Sequence, residues 1–233
     1  MPTLTRILGN LAVLSPLLVS PEAFADVDAD LGAKIAAQGT TKGVVPCMTC
    51  HGADGAGMAP AGYPRVAGLD AAYLTKQLED YRAGKRNNPV MMPMAKGLTE
   101  DEVAAVSAHY AAMPMPPTTA EPPAGAVAQT AKNLIEWGDW TDRRLPACGQ
   151  CHGPDGNGIG PNFPGISGQH ASYLKAQLQA WKAGTRANDS IGLMKAVADQ
   201  LTDAEIDALS AYYAAQSAAA PIPAENAPTP VQR

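Results

Sequence analysis

The chain is short of the bulky side chains from which small cores are made. Its 2 Phe, 3 Trp and 7 Tyr make aromatics only 5% of 233 residues. A domain of about 90 residues built from such a sequence lacks core material of its own. Cysteine is also scarce, at four residues, which excludes a disulfide-dense scaffold. Positive charge is in deficit, with 17 Lys+Arg against 22 Asp+Glu and a net charge of −5. That balance argues against a nucleic-acid partner. Past the N-terminal segment no apolar run is long enough to span a bilayer.

All four cysteines fall in two five-residue runs, Cys47-Met48-Thr49-Cys50-His51 and Cys148-Gly149-Gln150-Cys151-His152. Each is a complete C-x-x-C-H, the attachment signature of c-type haem. Two thiols at this spacing form thioethers with the two vinyl groups of one porphyrin edge. The adjacent histidine then brings an imidazole nitrogen to the iron. Three other readings explain less. A four-cysteine zinc site wants its pairs about 15–20 residues apart, whereas these lie 101 apart. A thioredoxin-like site needs a βαβ setting, and no strand pattern surrounds either run. Two structural disulfides would leave both histidines without a role. The expectation is two covalent haem c groups, held by Cys47 and Cys50 and by Cys148 and Cys151, with His51 and His152 as iron ligands.

The first 25 residues have the form of a secretory signal. Arg6 supplies the charged start, Ile7 to Val19 is mostly apolar, and Ala23-Phe24-Ala25 is a small-x-small cleavage site. Asn10, Ser15 and Pro16 interrupt the apolar stretch, which is too short for a good membrane anchor. Cleavage after Ala25 would deliver the mature chain, with no membrane span, to the periplasm.

The remainder is a duplication. At an offset of 100, Pro64, Gly68, Tyr73, Leu74, Gln77, Leu78, Ala83, Gly84 and Arg86 recur as Pro164, Gly168, Tyr173, Leu174, Gln177, Leu178, Ala183, Gly184 and Arg186. Further on, at 103, Leu98-Thr99 recurs as Leu201-Thr202. Between the copies a segment rich in proline cannot hold a helix. The organisation expected is a signal at 1–25, a first domain at 26–114, a linker at 115–124, a second domain at 125–218 and a disordered tail at 219–233. Each copy carries a net −2, so no charged docking face is legible.

Helical periodicity runs through both copies. Tyr73, Leu74, Gln77, Leu78 and Tyr81 mark one face of a helix over Asp70–Arg82 that stops at Gly84. Thr99 and Thr202 are N-caps, with acidic residues in the turns that follow. Further helices are expected around Leu31–Gln38 and Val127–Trp137, and Gly/Pro-rich loops after each haem motif. Each copy is therefore expected to be a small all-α domain whose core a porphyrin completes.

A low-spin electron carrier needs a second axial ligand, His or Met. His109 faces Tyr212 in the repeat and His170 faces Asp70, so neither is duplicated; both suit surface or packing roles. Met194 lies seven residues before Leu201, and Met91 lies seven before Leu98. The duplication pairs them, on a loop between two helices, as the candidate distal ligands. Met194 has no methionine rival in its copy, whereas Met92 and Met94 stand beside Met91.

Two tandem class I cytochrome c domains, with Phe163-Pro164-Gly165-Ile166-Ser167-Gly168-Gln169-His170-Ala171-Ser172-Tyr173 and Arg186-Ala187-Asn188-Asp189 in the second, resemble the dihaem cytochrome c4 family. The resemblance covers nearly all of residues 28–218. It implies two His/Met haems in a periplasmic electron carrier. It also implies two domains related by a pseudo-twofold axis, with their propionate edges turned together. The proximal and distal roles carry over to His51, His152, Met91 and Met194. Copy one departs from the family pattern in having Gly68-Leu69-Asp70 where copy two has Gly168-Gln169-His170.

Two haems each closed by His and Met leave no open iron position, and no other catalytic constellation is visible. The chain is thus expected to shuttle single electrons rather than to be an enzyme. One setting is a soluble carrier between respiratory partners, such as a quinol-oxidising complex and a terminal oxidase. The alternative is the dihaem electron-transfer subunit of a periplasmic dehydrogenase, whose flavin or quinone cofactor sits on a partner chain. A third is a haem enzyme with an opened iron. Arg86 and Arg186, matched in both copies, are candidates either for pairing with propionates or for a solvated surface.

Overall fold

A computed structural model describes residues 29–189 and 191–219. The signal over 1–25, its cleavage point after Ala25, and all but the first residue of the expected tail lie outside the described residues. Among the described residues the architecture is all-α, with isolated bridges but no strands. Copy one runs α1 (Ala29–Gln38), α2 (Met48–His51), α3 (Ala71–Arg82), α4 (Met91–Gly97) and α5 (Glu100–Ala112). Copy two runs α6 (Gly125–Glu136), α7 (Cys148–His152), α8 (Ala171–Lys182), α9 (Leu193–Gln200) and α10 (Asp203–Ala214). The five helices of the second copy repeat those of the first in order.

In each copy the first and last helices pack together, α1 on α5 and α6 on α10. Their apolar faces make two separate cores. One gathers Ile35, Val44, Leu98, Val103, Val106 and Tyr110. The other gathers Leu134, Ile135, Leu145, Leu201, Ile206, Leu209 and Tyr213. Leu74 and Leu78 of α3, like Leu174 and Leu178 of α8, reach these cores while staying only partly buried.

The last helices start where the sequence places them. Thr99 accepts from the backbone N–H of Glu102, and the Glu102 carboxylate accepts from that of Thr99. Thr202 and Glu205 repeat this capping box, which satisfies two otherwise orphaned donors at each helix start. Asp70 accepts from the N–H of Tyr73 and caps α3.

Two short helices differ from the sequence expectation, which put Met91 and Met194 on a loop. Met91 opens α4, and Met194 is the second residue of α9. At seven and eight residues, with Pro93 inside the first and Gly97 closing it, neither helix is long enough to show a 3.6-residue period. Residues 113–124 form no helix, as five prolines between Pro114 and Pro123 require. This connection is held down by the Thr118 hydroxyl, which donates to the Ala214 carbonyl at 2.5 Å.

The copies meet through α3, α8 and the turns after them. Asn87 N–H donates to the Thr185 carbonyl at 3.4 Å and Ala187 N–H to the Lys85 carbonyl at 3.0 Å. These bonds flank an antiparallel bridge between Arg86 and Arg186.

Candidate haem sites and the boundary between them

Both C-x-x-C-H runs are folded into one turn of helix, α2 and α7. A turn at 3.6 residues brings cysteines three apart to one side and carries the next residue round beside them. Cys47, Cys50, Cys148 and Cys151 are all free thiols, half-buried, so the disulfide reading is not realised. Among the described residues no three His, Cys, Asp or Glu side chains gather as a metal cluster, and the two cysteine pairs stay in separate copies. Burial pushes the Cys148 thiol up to about 11 and raises Cys47 and Cys151 as well. Tyr110 in α5 feels the Cys47 sulfur, and Tyr213 in α10 the Cys148 sulfur. The last helix therefore closes over the first cysteine of each motif.

The histidines have matching environments. His51 is 8% exposed. Its Nδ1 lies 2.9 Å from the Pro64 carbonyl, and His152 Nδ1 lies 2.8 Å from the Pro164 carbonyl. A carbonyl only accepts, so Nδ1 carries the proton and Nε2 is left with its lone pair. Burial lowers the affinity of both rings for a second proton, against the opposing pull of the carbonyls. A neutral imidazole with its far nitrogen fixed by a carbonyl is the state in which histidine ligates a metal.

Glycine makes this approach possible. Gly57 and Gly158 sit at φ +82° and +91°. A Cβ on Gly57 would lie 2.5 Å from the Pro64 carbonyl oxygen, and one on Gly158 would lie 2.5 Å from the Gly165 nitrogen. Only glycine takes that backbone angle at this packing distance without strain. The paired cysteines of each copy and the Nε2 lone pair of each histidine fit a covalently attached haem.

The candidate distal methionines are also placed alike. Met91 N–H donates to Asn88 Oδ1 at 2.9 Å, and Met194 N–H donates to the Asp189 carboxylate. Both side chains are partly buried. Met94 packs against the first core and Val197, its counterpart at offset 103, against the second. Met92 matches Lys195, which is exposed. His109 lies on α5 where it crosses α1, its Cβ 2.8 Å from where a side chain on Gly32 would begin. His170 stands at the N-cap position of α8 without a side-chain capping bond, and its buried Nε2 has no partner.

Arg86 and Arg186 are not on a solvated surface. They are 5% and 8% exposed and lie on the boundary between copies. Arg86 donates to Gln77 Oε1 at 3.0 Å in its own copy, and to Tyr173 Oη at 2.5 Å and Gln177 Oε1 at 2.7 Å across the boundary. Arg186 returns the pattern, to Gln177 at 3.0 Å, Gln77 at 3.3 Å and Tyr73 at 3.5 Å. Their guanidinium carbons lie 4.7 Å and 4.6 Å from the ring centroids of Tyr81 and Trp181, close enough for cation–π attraction. Helical periodicity places Tyr73 and Gln77 on one face of α3 with Leu74 and Leu78, and it does not show this network. The signal was available, because a glutamine repeated in an apolar face at the same offset as an arginine marks a shared polar contact.

The comparisons agree with this two-copy geometry. The family described as Cytochrome c matches residues 29–113 and 144–215. A "thiosulfate dehydrogenase electron acceptor" of Stutzerimonas stutzeri (strain A1501) is 46% identical over 88% of this chain and 93% of its own length. The solved structure of reduced recombinant cytochrome c4 from Pseudomonas stutzeri superposes with a TM-score of 0.71 at 32% identity, covering 82% of this chain and all of that one. A solved thiosulfate dehydrogenase from Marichromatium purpuratum gives 0.76 at 46% identity over 81% of this chain, which spans 40% of that protein.

Proposed function

This chain belongs to the dihaem cytochrome c4 family and carries two covalent haem c groups for electron transfer, and on that premise we propose that it is the electron acceptor of a periplasmic thiosulfate dehydrogenase. It takes electrons one at a time from that partner and passes them to the respiratory chain. The observation that carries this reading is the 46% identity with the acceptor from Stutzerimonas stutzeri over nearly all of that protein. The identity with the cytochrome c4 structure is lower, at 32%. Among the described residues no helix is long and apolar enough to cross a membrane, and the periplasmic location belongs to the same proposal.

Haem c supplies a one-electron couple at the iron. The residues proposed to hold it are Cys47 and Cys50 with His51 and Met91 in the first copy, and Cys148 and Cys151 with His152 and Met194 in the second. The carbonyls of Pro64 and Pro164 fix each histidine ring and raise its donor strength. A methionine thioether is a soft, weak donor that favours ferrous iron, so Met91 and Met194 raise the potential relative to a second histidine. Asn88 and Asp189 hold the backbone at those methionines. The domains proposed are 26–114 and 125–218, with their propionate edges turned toward the boundary that Arg86 and Arg186 occupy.

The test is to mix the purified oxidised protein with a thiosulfate dehydrogenase and thiosulfate and to follow the haem α-band. Reduction of both haems at catalytic dehydrogenase supports the proposal. Reduction by a quinol-oxidising complex but not by the dehydrogenase would favour the carrier between respiratory complexes instead.

A further inference from the structure

One peptide unit joins His51 in the first copy to Gln169 in the second. The carbonyl of the Pro64–Arg65 peptide accepts from His51 Nδ1 at 2.9 Å. The N–H of the same peptide belongs to Arg65 and donates to Gln169 Oε1, also at 2.9 Å. The Gln169 amide then donates from Nε2 to the Arg65 carbonyl at 2.9 Å. Arg65 adds a third bond across the boundary, from Nη2 to the Ser167 carbonyl at 3.0 Å, and ties itself to Ala67 with Nη1 at 2.6 Å. Arg65 is 1% exposed and Gln169 4%, so water does not compete for these groups.

The second copy has the histidine bond without the relay. His152 donates to Pro164 at 2.8 Å, but Gly165 stands where the first copy has Arg65, and Leu69 stands where the second has Gln169. Leu69 is buried and has no amide to offer. Among the described residues no hydrogen bond runs from the first copy to residues 163–166. The two copies are otherwise built alike around their histidines, so this contact breaks the pseudo-twofold symmetry in one direction.

The geometry points to Gln169 as a positioning residue that tunes the first haem site from the second copy. Hydrogen bonds in series polarise one another in a low-dielectric setting. A peptide whose N–H is taken by Gln169 Oε1 has a more electron-rich carbonyl. That carbonyl pulls harder on the His51 Nδ1 proton, and Nε2 becomes a stronger donor. A stronger histidine donor stabilises ferric over ferrous iron, so the relay lowers the potential of the first site. No equivalent contact reaches His152, so the two sites separate in potential. The value at the first site also depends on the second copy being docked. This inference rests on the reading of His51 as an iron ligand.

The test uses the dihaem holoprotein with Gln169→Leu and Gln169→Glu. Leucine is what the first copy itself carries at the matching position, and glutamate keeps an acceptor for the Arg65 N–H. Redox titrations followed by NMR assign each potential through the hyperfine-shifted resonances of His51 and His152. Gln169→Leu is expected to move the first potential to more positive values and shift the His51 Nδ1 proton, with the second site unchanged. Gln169→Glu is expected to leave the first potential at or below its original value. An unmoved first potential in Gln169→Leu, or equal movement of both sites, overturns the relay. If His51 carries no hyperfine shift in the unaltered protein, the ligation reading fails and the relay with it. If His51 is hyperfine-shifted but indifferent to Gln169→Leu, the relay alone fails.

Discussion

Arg86 and Arg186 exchange glutamines across the boundary between the two copies. Each guanidinium binds Gln77 and Gln177 together, and each reaches a tyrosine of the opposite copy. The guanidiniums lie on an antiparallel backbone bridge, so side chains and main chain pin the same contact. Neither guanidinium forms an ion pair with a carboxylate among the described residues.

Removing Arg86 takes the donor from the Tyr173 hydroxyl and one of the bonds from each of Gln77 and Gln177, which keep their bonds to Arg186. Arg86→Ala is expected to cost about 2–3 kcal/mol of stability, since a hydrogen bond to a charged group is worth about 1.5–3 kcal/mol. Lysine is not a rescue, because a point charge on a flexible stem cannot serve two glutamines and a tyrosine at once. Denaturant unfolding of the holoprotein checks this: both Arg86→Ala and Arg86→Lys should shift the midpoint, and indistinguishable curves would contradict it. A double-mutant cycle with Tyr173→Phe should show coupling.

The second copy carries an ion-pair cluster whose arginine the first lacks. Arg143 binds Glu205 through both terminal nitrogens at 2.9 Å and 2.8 Å, and binds Asp139 at 2.7 Å. Its guanidinium, helped by the Thr202 bonds, holds the Glu205 carboxyl down at about 2. The folded pKa lies below the unfolded one. The contribution is therefore complete above the ordinary carboxylate range and is lost as pH falls through about 2. After allowing for solvent screening it is worth about 1 kcal/mol. Acid titration of stability should thus be steeper for the unaltered protein than for Glu205→Gln between about pH 4 and 2, and identical slopes would remove the claim.

Neighbouring methionines in α4 should behave oppositely. Met94 packs into the first core beside Leu98 and Val103. Met94→Ala is expected to destabilise by about 1–3 kcal/mol, less than for a fully buried methionine, without altering the haem spectrum. Met91→Ala is expected to change the spectrum and potential of one haem at small cost in stability. Visible spectra and unfolding curves of the two variants separate the roles, and the reverse assignment would follow if Met94→Ala lost the ligand-dependent bands.

Much of this arrangement is legible in the residues. The haem motifs declare themselves because thioether formation fixes the spacing. The helices at Thr99 and Thr202 declare themselves because a capping box is a local rule. The helices that open at Met91 and Leu193 do not, because they are too short for a period and begin beside Pro93 and Gly192. The boundary between copies is harder still. Gln77 sits in an apolar face, and only the fold shows that this face divides, with Leu74 and Leu78 turned to the core and Gln77 to the other copy. The bond from Gln169 to the Arg65 peptide spans 104 residues and copies no motif. The sequence difference between Leu69 and Gln169 marks the place, and the structure supplies the partner.

Met194 has no methionine competitor in its copy, so it tests the account most directly. In the oxidised protein, Met194→Ala should abolish half of the weak near-infrared sulfur-to-iron charge-transfer absorption. It should also open one haem to carbon monoxide and lower the potential of that haem alone. Retention of the full absorption, with both haems closed to carbon monoxide, would contradict the His/Met account of the second site.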